Sequence, residues 1–117
     1  MTRYSAGDVV WGPDAYHDDD PTLKLGAGRP WLIINNESYP GHGAQYLCCA
    51  MTSGAGNGSA FIKVPLDKWL AGKPKKESRI DTETVVTMKA NWITKKIGTI
   101  DRDLRQRARK KVTSYVS

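Results

Sequence analysis

What most constrains this chain is its punctuation. From Asp8 to Val64 the apolar residues come in short runs, each cut by glycine, proline or a polar turn. Runs of that length suit strands and are too short for helices. After Asp101 the spacing changes: Leu104, Ala108, Val112 and Tyr115 recur every three or four residues, as on one stripe of an amphipathic helix. The chain reads as mainly β, several short strands and then one C-terminal α-helix. Strands this short favour a small, strongly bent barrel over a broad sandwich.

The strands are expected at Asp8–Trp11, Pro30–Ile34, Ala44–Met51, Ala60–Val64 and Thr82–Lys89, all rich in β-branched or aromatic residues or continuously apolar. Gly12-Pro13 is expected to break the first. Asp14 to Gly28 reads as a long polar loop and Thr52 to Ser59 as a flexible glycine-rich one. Asp67-Lys68-Trp69-Leu70 suggests one helical turn, before a lysine-rich loop from Gly72 to Ser78. Trp92-Ile93-Thr94 either continues the fifth strand or opens a last short one. Asp101 is a good N-cap, since its carboxylate can accept a free first-turn amide proton. Trp31 reads as strand core; Trp11 and Trp92 suit either core packing or stacking on bases.

At 117 residues the chain has one domain's length, residues 1–117. No apolar run is long enough to span a membrane. Met1 to Asp8 lacks the pattern of a secretory signal, so a cytoplasmic protein is expected. Cys48 and Cys49 are adjacent, which on a strand sends them to opposite faces. They read as two free thiols, and the missing C-x-x-C spacing argues against structural zinc. The net charge is +6, unevenly placed. Residues 1–60 hold 3 basic and 6 acidic side chains; residues 61–117 hold 15 and 6. A basic half fits a polyanion partner such as nucleic acid, and equally a solvated surface.

Phosphate-loop, dinucleotide-binding, H-E-x-x-H and G-x-S-x-G signatures are absent. His17 among Asp14, Asp18, Asp19 and Asp20 fits a mixed-ligand metal cluster or a solvated acidic loop, and the loop reading implies no metal. Arg29 follows Gly28 and precedes Pro30 and the buried strand. A guanidinium fixed there suits a phosphate clamp, because its planar fork matches two oxygens. It equally suits an ion pair with a carboxylate of the long loop. Thr52-Ser53 offers two hydroxyls at a strand end, for a phosphate or for ordinary turn chemistry.

Four segments, in order, resemble the MazF/PemK family of toxin endoribonucleases. They are Gly7-Asp8-Val9-Val10-Trp11, Gly28-Arg29-Pro30-Trp31-Leu32-Ile33-Ile34, Ala50-Met51-Thr52-Ser53, and Lys95-Lys96-Ile97-Gly98-Thr99-Ile100 before the helix. The chain departs from the family pattern in three places. Pro13 to Asp19 is inserted before Asp20-Pro21-Thr22, Leu23-Lys24-Leu25 replaces a polar triplet, and Ala50 stands where a proline is usual.

The resemblance implies an SH3-like barrel with a C-terminal helix, a homodimer, and cutting of single-stranded RNA with neither metal nor cofactor. In that chemistry the RNA's 2′-hydroxyl attacks the adjacent phosphorus, leaving a 2′,3′-cyclic phosphate and a 5′-hydroxyl. Arg29 matches the catalytic arginine, stabilising the phosphorane and protonating the leaving oxygen, and Thr52 matches the catalytic threonine. Asp81, or Glu83 in another register, matches the acidic residue that some members carry as a proton acceptor. Lys24, Gly28, Ser53, Lys89, Lys95 and Lys96 are implied RNA contacts, with His17 if the long loop folds back. The implied partner is a cognate antitoxin with an acidic disordered segment. Two other readings stay open: a non-catalytic RNA-binding module, and a CcdB-like gyrase poison. The latter ends in Trp-Gly-Ile, whereas this chain ends Thr113-Ser114-Tyr115-Val116-Ser117.

Overall fold

The computed structural model describes residues 3–14, 28–53, 58–72 and 74–116. Among the described residues seven strands precede one α-helix: β1 (Asp8–Pro13), β2 (Gly28–Ile33), β3 (Gln45–Thr52), β4 (Phe61–Val64), β5 (Trp69–Ala71), β6 (Ser78–Lys89), β7 (Lys95–Ile100) and α1 (Arg102–Ser114). They form one antiparallel sheet in the order β4-β6-β3-β2-β1-β7-β5. Register shifts at Val9/Val10, Cys49/Ala50 and Trp69/Ala71 add local twist, and the sheet curls into a half-barrel with α1 packed on it. The expected mainly-β fold with a C-terminal helix is therefore present. Among the described residues no helix is long and apolar enough to cross a membrane.

The bounds of β2, β3 and β4 fall within one or two residues of expectation, and four other elements differ from it. β1 runs through Gly12-Pro13. Pro13 lies beyond the last β1–β7 pair, Trp11↔Lys95, where a missing N–H breaks no bond on that side. The turn expected over Asp67–Leu70 is a 3₁₀ turn at Leu66–Lys68, followed directly by the edge strand β5, which is too short to show a period. β6 starts at Ser78 rather than Thr82. The last strand is Lys95–Ile100, while Ala90–Trp92 forms a 3₁₀ turn; the lysines opening β7 disguise it as a loop.

Alternation along the strands builds an apolar cluster on each face. On one face Val9, Leu32, Cys49, Met51, Ile62 and Ile80 meet Leu104 and Ala108 of α1. On the other, Val10, Trp31, Ile33, Tyr46, Cys48 and Ala50 pack together with Met88 and Tyr4. Cys48 and Cys49 are free, buried and divided between the two faces. Burial raises the pKa of both thiols. For Cys49, desolvation and then the charge of Asp81 push it up to about 12. Asp101 caps α1 by accepting the Leu104 N–H at 2.9 Å, and the helix stripe holds through Leu104 and Ala108. Tyr115 is 48% exposed and its hydroxyl meets Thr82 Oγ1 at 2.8 Å.

Candidate active site

The site begins where β1 hands over to β2. A Cβ on Gly28 would collide with the Trp11 indole, so glycine is required there for close packing. The indole fills the space beside the Gly28 backbone. Gly12 lies opposite Arg29 in the β1–β2 register. Trp31 is fully buried and donates its indole N–H to the Pro13 carbonyl at 3.1 Å. With Trp31 fixed, Arg29 two residues earlier lies on the same face, its guanidinium carbon 5.4 Å from the ring centroid.

The guanidinium is held at the end of β3. Arg29 Nη2 donates to the Met51 carbonyl at 3.1 Å, the carbonyl of the peptide that leads into Thr52. The register Trp31↔Ala50, continued by two residues, sets Arg29 beside Thr52. Arg29 Nη1 lies 3.7 Å from Asp14 Oδ1, with both side chains 23% exposed. The ion-pair alternative for Arg29 is thus realised, in a form that leaves the group open to solvent. Among the described residues Arg29 Nε is buried without a hydrogen-bond partner. A buried donor of that kind calls for an explanation. Arg29 is thus bonded to the residue that precedes Thr52.

The other expected residues are scattered. Asp81 pairs with Ala50, but its own bulge occupies both oxygens: Oδ1 accepts the Glu83 N–H at 3.1 Å and Oδ2 the Thr84 hydroxyl at 2.7 Å. Ser53 is exposed just past Thr52. Lys96 lies 3.3 Å from Asp8 Oδ1. Asp8 also accepts from Ser5 N–H at 2.9 Å and Thr99 hydroxyl at 3.0 Å, so Lys96 belongs to a structural cluster. Lys89 lies over the Trp92 ring at 5.5 Å. Lys95 is exposed, opposite Trp11. Trp11 and Trp92 are both half-buried. His17, Lys24 and most of the acidic loop lie outside the described residues.

Sequence reasoning offered a loop carboxylate for Arg29 without saying which, and missed one neighbour of Thr52. Asp14 opens the acidic run, but only the fold brings it to Arg29. Arg79 lies opposite Thr52 on β6, and only the β3–β6 register reveals it.

A curled antiparallel sheet with one closing helix is the fold of a class of small toxins. The model of the PemK-like, MazF-like toxins of type II toxin–antitoxin systems matches residues 5–116. The chain belongs to that family. No curated protein matches it. Solved structures match at low identity and show the same fold. MazF from Deinococcus radiodurans is 16% identical, with a TM-score of 0.74 over 99% of this chain and 98% of that one. A MazE–MazF complex from the same organism is 17% identical, with a TM-score of 0.73 over 100% and 98%. An endoribonuclease from a mycobacterial species, in complex with its cognate antitoxin, is 13% identical, with a TM-score of 0.66 over 95% and 92%.

Proposed function

We propose that this toxin is an endoribonuclease that cuts single-stranded RNA without a metal ion. The observation that carries the reading is Arg29, bonded to the peptide leading into Thr52 while its Nε has no partner among the described residues. The 2′-hydroxyl oxygen forms a bond to phosphorus as the bond from phosphorus to the 5′-oxygen breaks. The products are a 2′,3′-cyclic phosphate and a 5′-hydroxyl. Charge builds on the non-bridging oxygens, where a fixed guanidinium and a hydroxyl donor act most strongly. Arg29 supplies the planar charged donor and Thr52 the neutral one. Asp14, 3.7 Å from the guanidinium, joins Asp81 as a candidate to take the 2′-hydroxyl proton. The leaving 5′-oxygen takes its proton from Arg29 or from water.

The toxin acts in the cytoplasm as a homodimer, and a cognate antitoxin with an acidic disordered segment neutralises it. The basic second half of the chain suits that segment.

The test is incubation of the purified protein with RNA in EDTA. The expected products carry cyclic phosphates, and Arg29→Ala is expected to stop their formation. A metal requirement, or full activity in Arg29→Ala, overturns the mechanism. RNA that is bound but left intact would make the protein a binding module.

A further inference from the structure

We propose that Arg79 and Lys63 extend the site into a row of phosphate contacts, so that the RNA strand is laid across β3, β6 and β4. This rests on the endoribonuclease reading and adds the direction in which the substrate leaves the scissile position. Thr52 pairs with Arg79, and Arg79 pairs with Lys63. Residues directly opposite in antiparallel strands share a face. Met51, Ile80, Ile62 and Val64 all point into the cluster beneath α1. Their neighbours Thr52, Arg79 and Lys63 therefore point to the other face, that of Arg29 and Trp31.

The result is a line of side chains over four adjacent strands: Arg29, Thr52, Arg79 and Lys63. At about 4.8 Å per strand it spans about 14 Å, enough for the scissile phosphate and its neighbours. The row ends on β4, the sheet edge, where Lys63 is exposed. Among the described residues two acidic groups lie along the row: Asp14 against Arg29, and Asp81, whose two oxygens accept from Glu83 and Thr84 in its own bulge.

The test uses the full chain and a fluorescent 2′-O-methyl oligoribonucleotide, which lacks the attacking hydroxyl and stays intact. Binding is titrated over a range of salt concentrations. Each single-strand phosphate contact contributes about 0.7 to the slope of log K against log salt. The double variant Lys63→Gln/Arg79→Gln is expected to lose about 1.4 in slope, or about 25-fold in affinity per decade of salt. Arg79→Lys, which keeps the charge, should retain the slope, a rescue that a purely structural role would not give. Lys110→Gln on α1 should leave it unchanged.

An unchanged slope in the double variant overturns the row, as does an equal loss in Lys110→Gln. If the wild type cuts RNA and Arg29→Ala does not, such a result refutes the row alone. If the wild type neither binds nor cuts RNA, the nuclease reading falls and the row with it.

Discussion

The two faces of β3 make a direct comparison. Cys49 and Met51 point into the cluster closed by α1, which stays apolar to the strand's end. Cys48 and Ala50 point into the Trp31 cluster, but the next residue on that face is Thr52, and Arg29 lies beside it. One face stays in the cluster that α1 joins as far as Met51. The other is sealed only as far as Ala50 and then turns polar. A strand with a period of two thus feeds both clusters and leaves its last even-numbered residue at the polar end beside Arg29.

The sharpest way to break this comparison is to truncate adjacent residues. Thr52→Ala is expected to lower RNA cleavage by about 10²–10³-fold while stability stays within about 1 kcal/mol. Met51→Ala removes a side chain that is 1% exposed and should cost about 2–5 kcal/mol of stability, with cleavage per folded molecule largely retained. Denaturant melts and single-turnover cleavage on both variants separate the effects. If Thr52→Ala unfolds the protein, or Met51→Ala abolishes cleavage in the folded state, the division of labour between the faces is wrong.

A second comparison sets Asp8 against Asp14, each next to a cation. Asp8 is 7% exposed and accepts from Ser5 and Thr99 while meeting Lys96. Asp14 shares an open position with Arg29. Asp8→Ala leaves the Ser5 N–H and the Thr99 hydroxyl without their acceptor and should cost about 1–3 kcal/mol, measured as a shift in the urea midpoint. Asp14→Asn should leave that midpoint nearly unchanged and slow cleavage. The opposite pattern would exchange the two roles.

These comparisons also show what the amino-acid order could reveal. The strand-plus-helix architecture was legible because Trp31 to Ile34 and Leu104 to Val112 carry distinct periods. Arg29 and Thr52 were legible because they sit in local motifs at strand ends. Arg79 was not, because nothing near it in the chain marks it; its place opposite Thr52 depends on a bulge between Cys49 and Ala50 that resets the β3–β6 register. The ion pair of Lys96 was hidden for the mirror-image reason: its partner Asp8 lies 88 residues away in the chain. β5 was invisible because three residues carry no period.

A smaller effect tests the helix that seals the first face. Asp101→Ala removes the carboxylate that caps Leu104 and is expected to cost about 1 kcal/mol. Cleavage should hold, since no residue of the Arg29–Thr52 row belongs to α1. Asp101→Ser should restore most of the loss, because a hydroxyl also caps; failure to do so would assign the loss to the Lys68 pair at 3.9 Å instead.

The last prediction concerns the two cysteines, one on each face. Both thiols have a raised pKa in the folded chain, Cys49 to about 12 against an ordinary 9.0, first by burial and then by the charge of Asp81. Below about pH 9 the thiols are protonated whether the chain is folded or unfolded, so they leave stability unchanged. Above it the unfolded chain gives up these protons and the folded chain keeps them. Fewer protons are then bound in the unfolded state, and stability falls as pH rises. For Cys49 the loss runs from about pH 9 to about pH 12 and reaches at most about 1.4 kcal/mol per pH unit. Urea melts at pH 8 and pH 10 should show the decline, and Cys49→Ala should make it shallower at the expense of a small cavity. In the native protein at pH 8 neither thiol should react with a disulfide reagent faster than the chain opens. Rapid labelling of Cys49 alone would mean that the helix-covered face is open to solvent, and would reverse the contrast between the two faces.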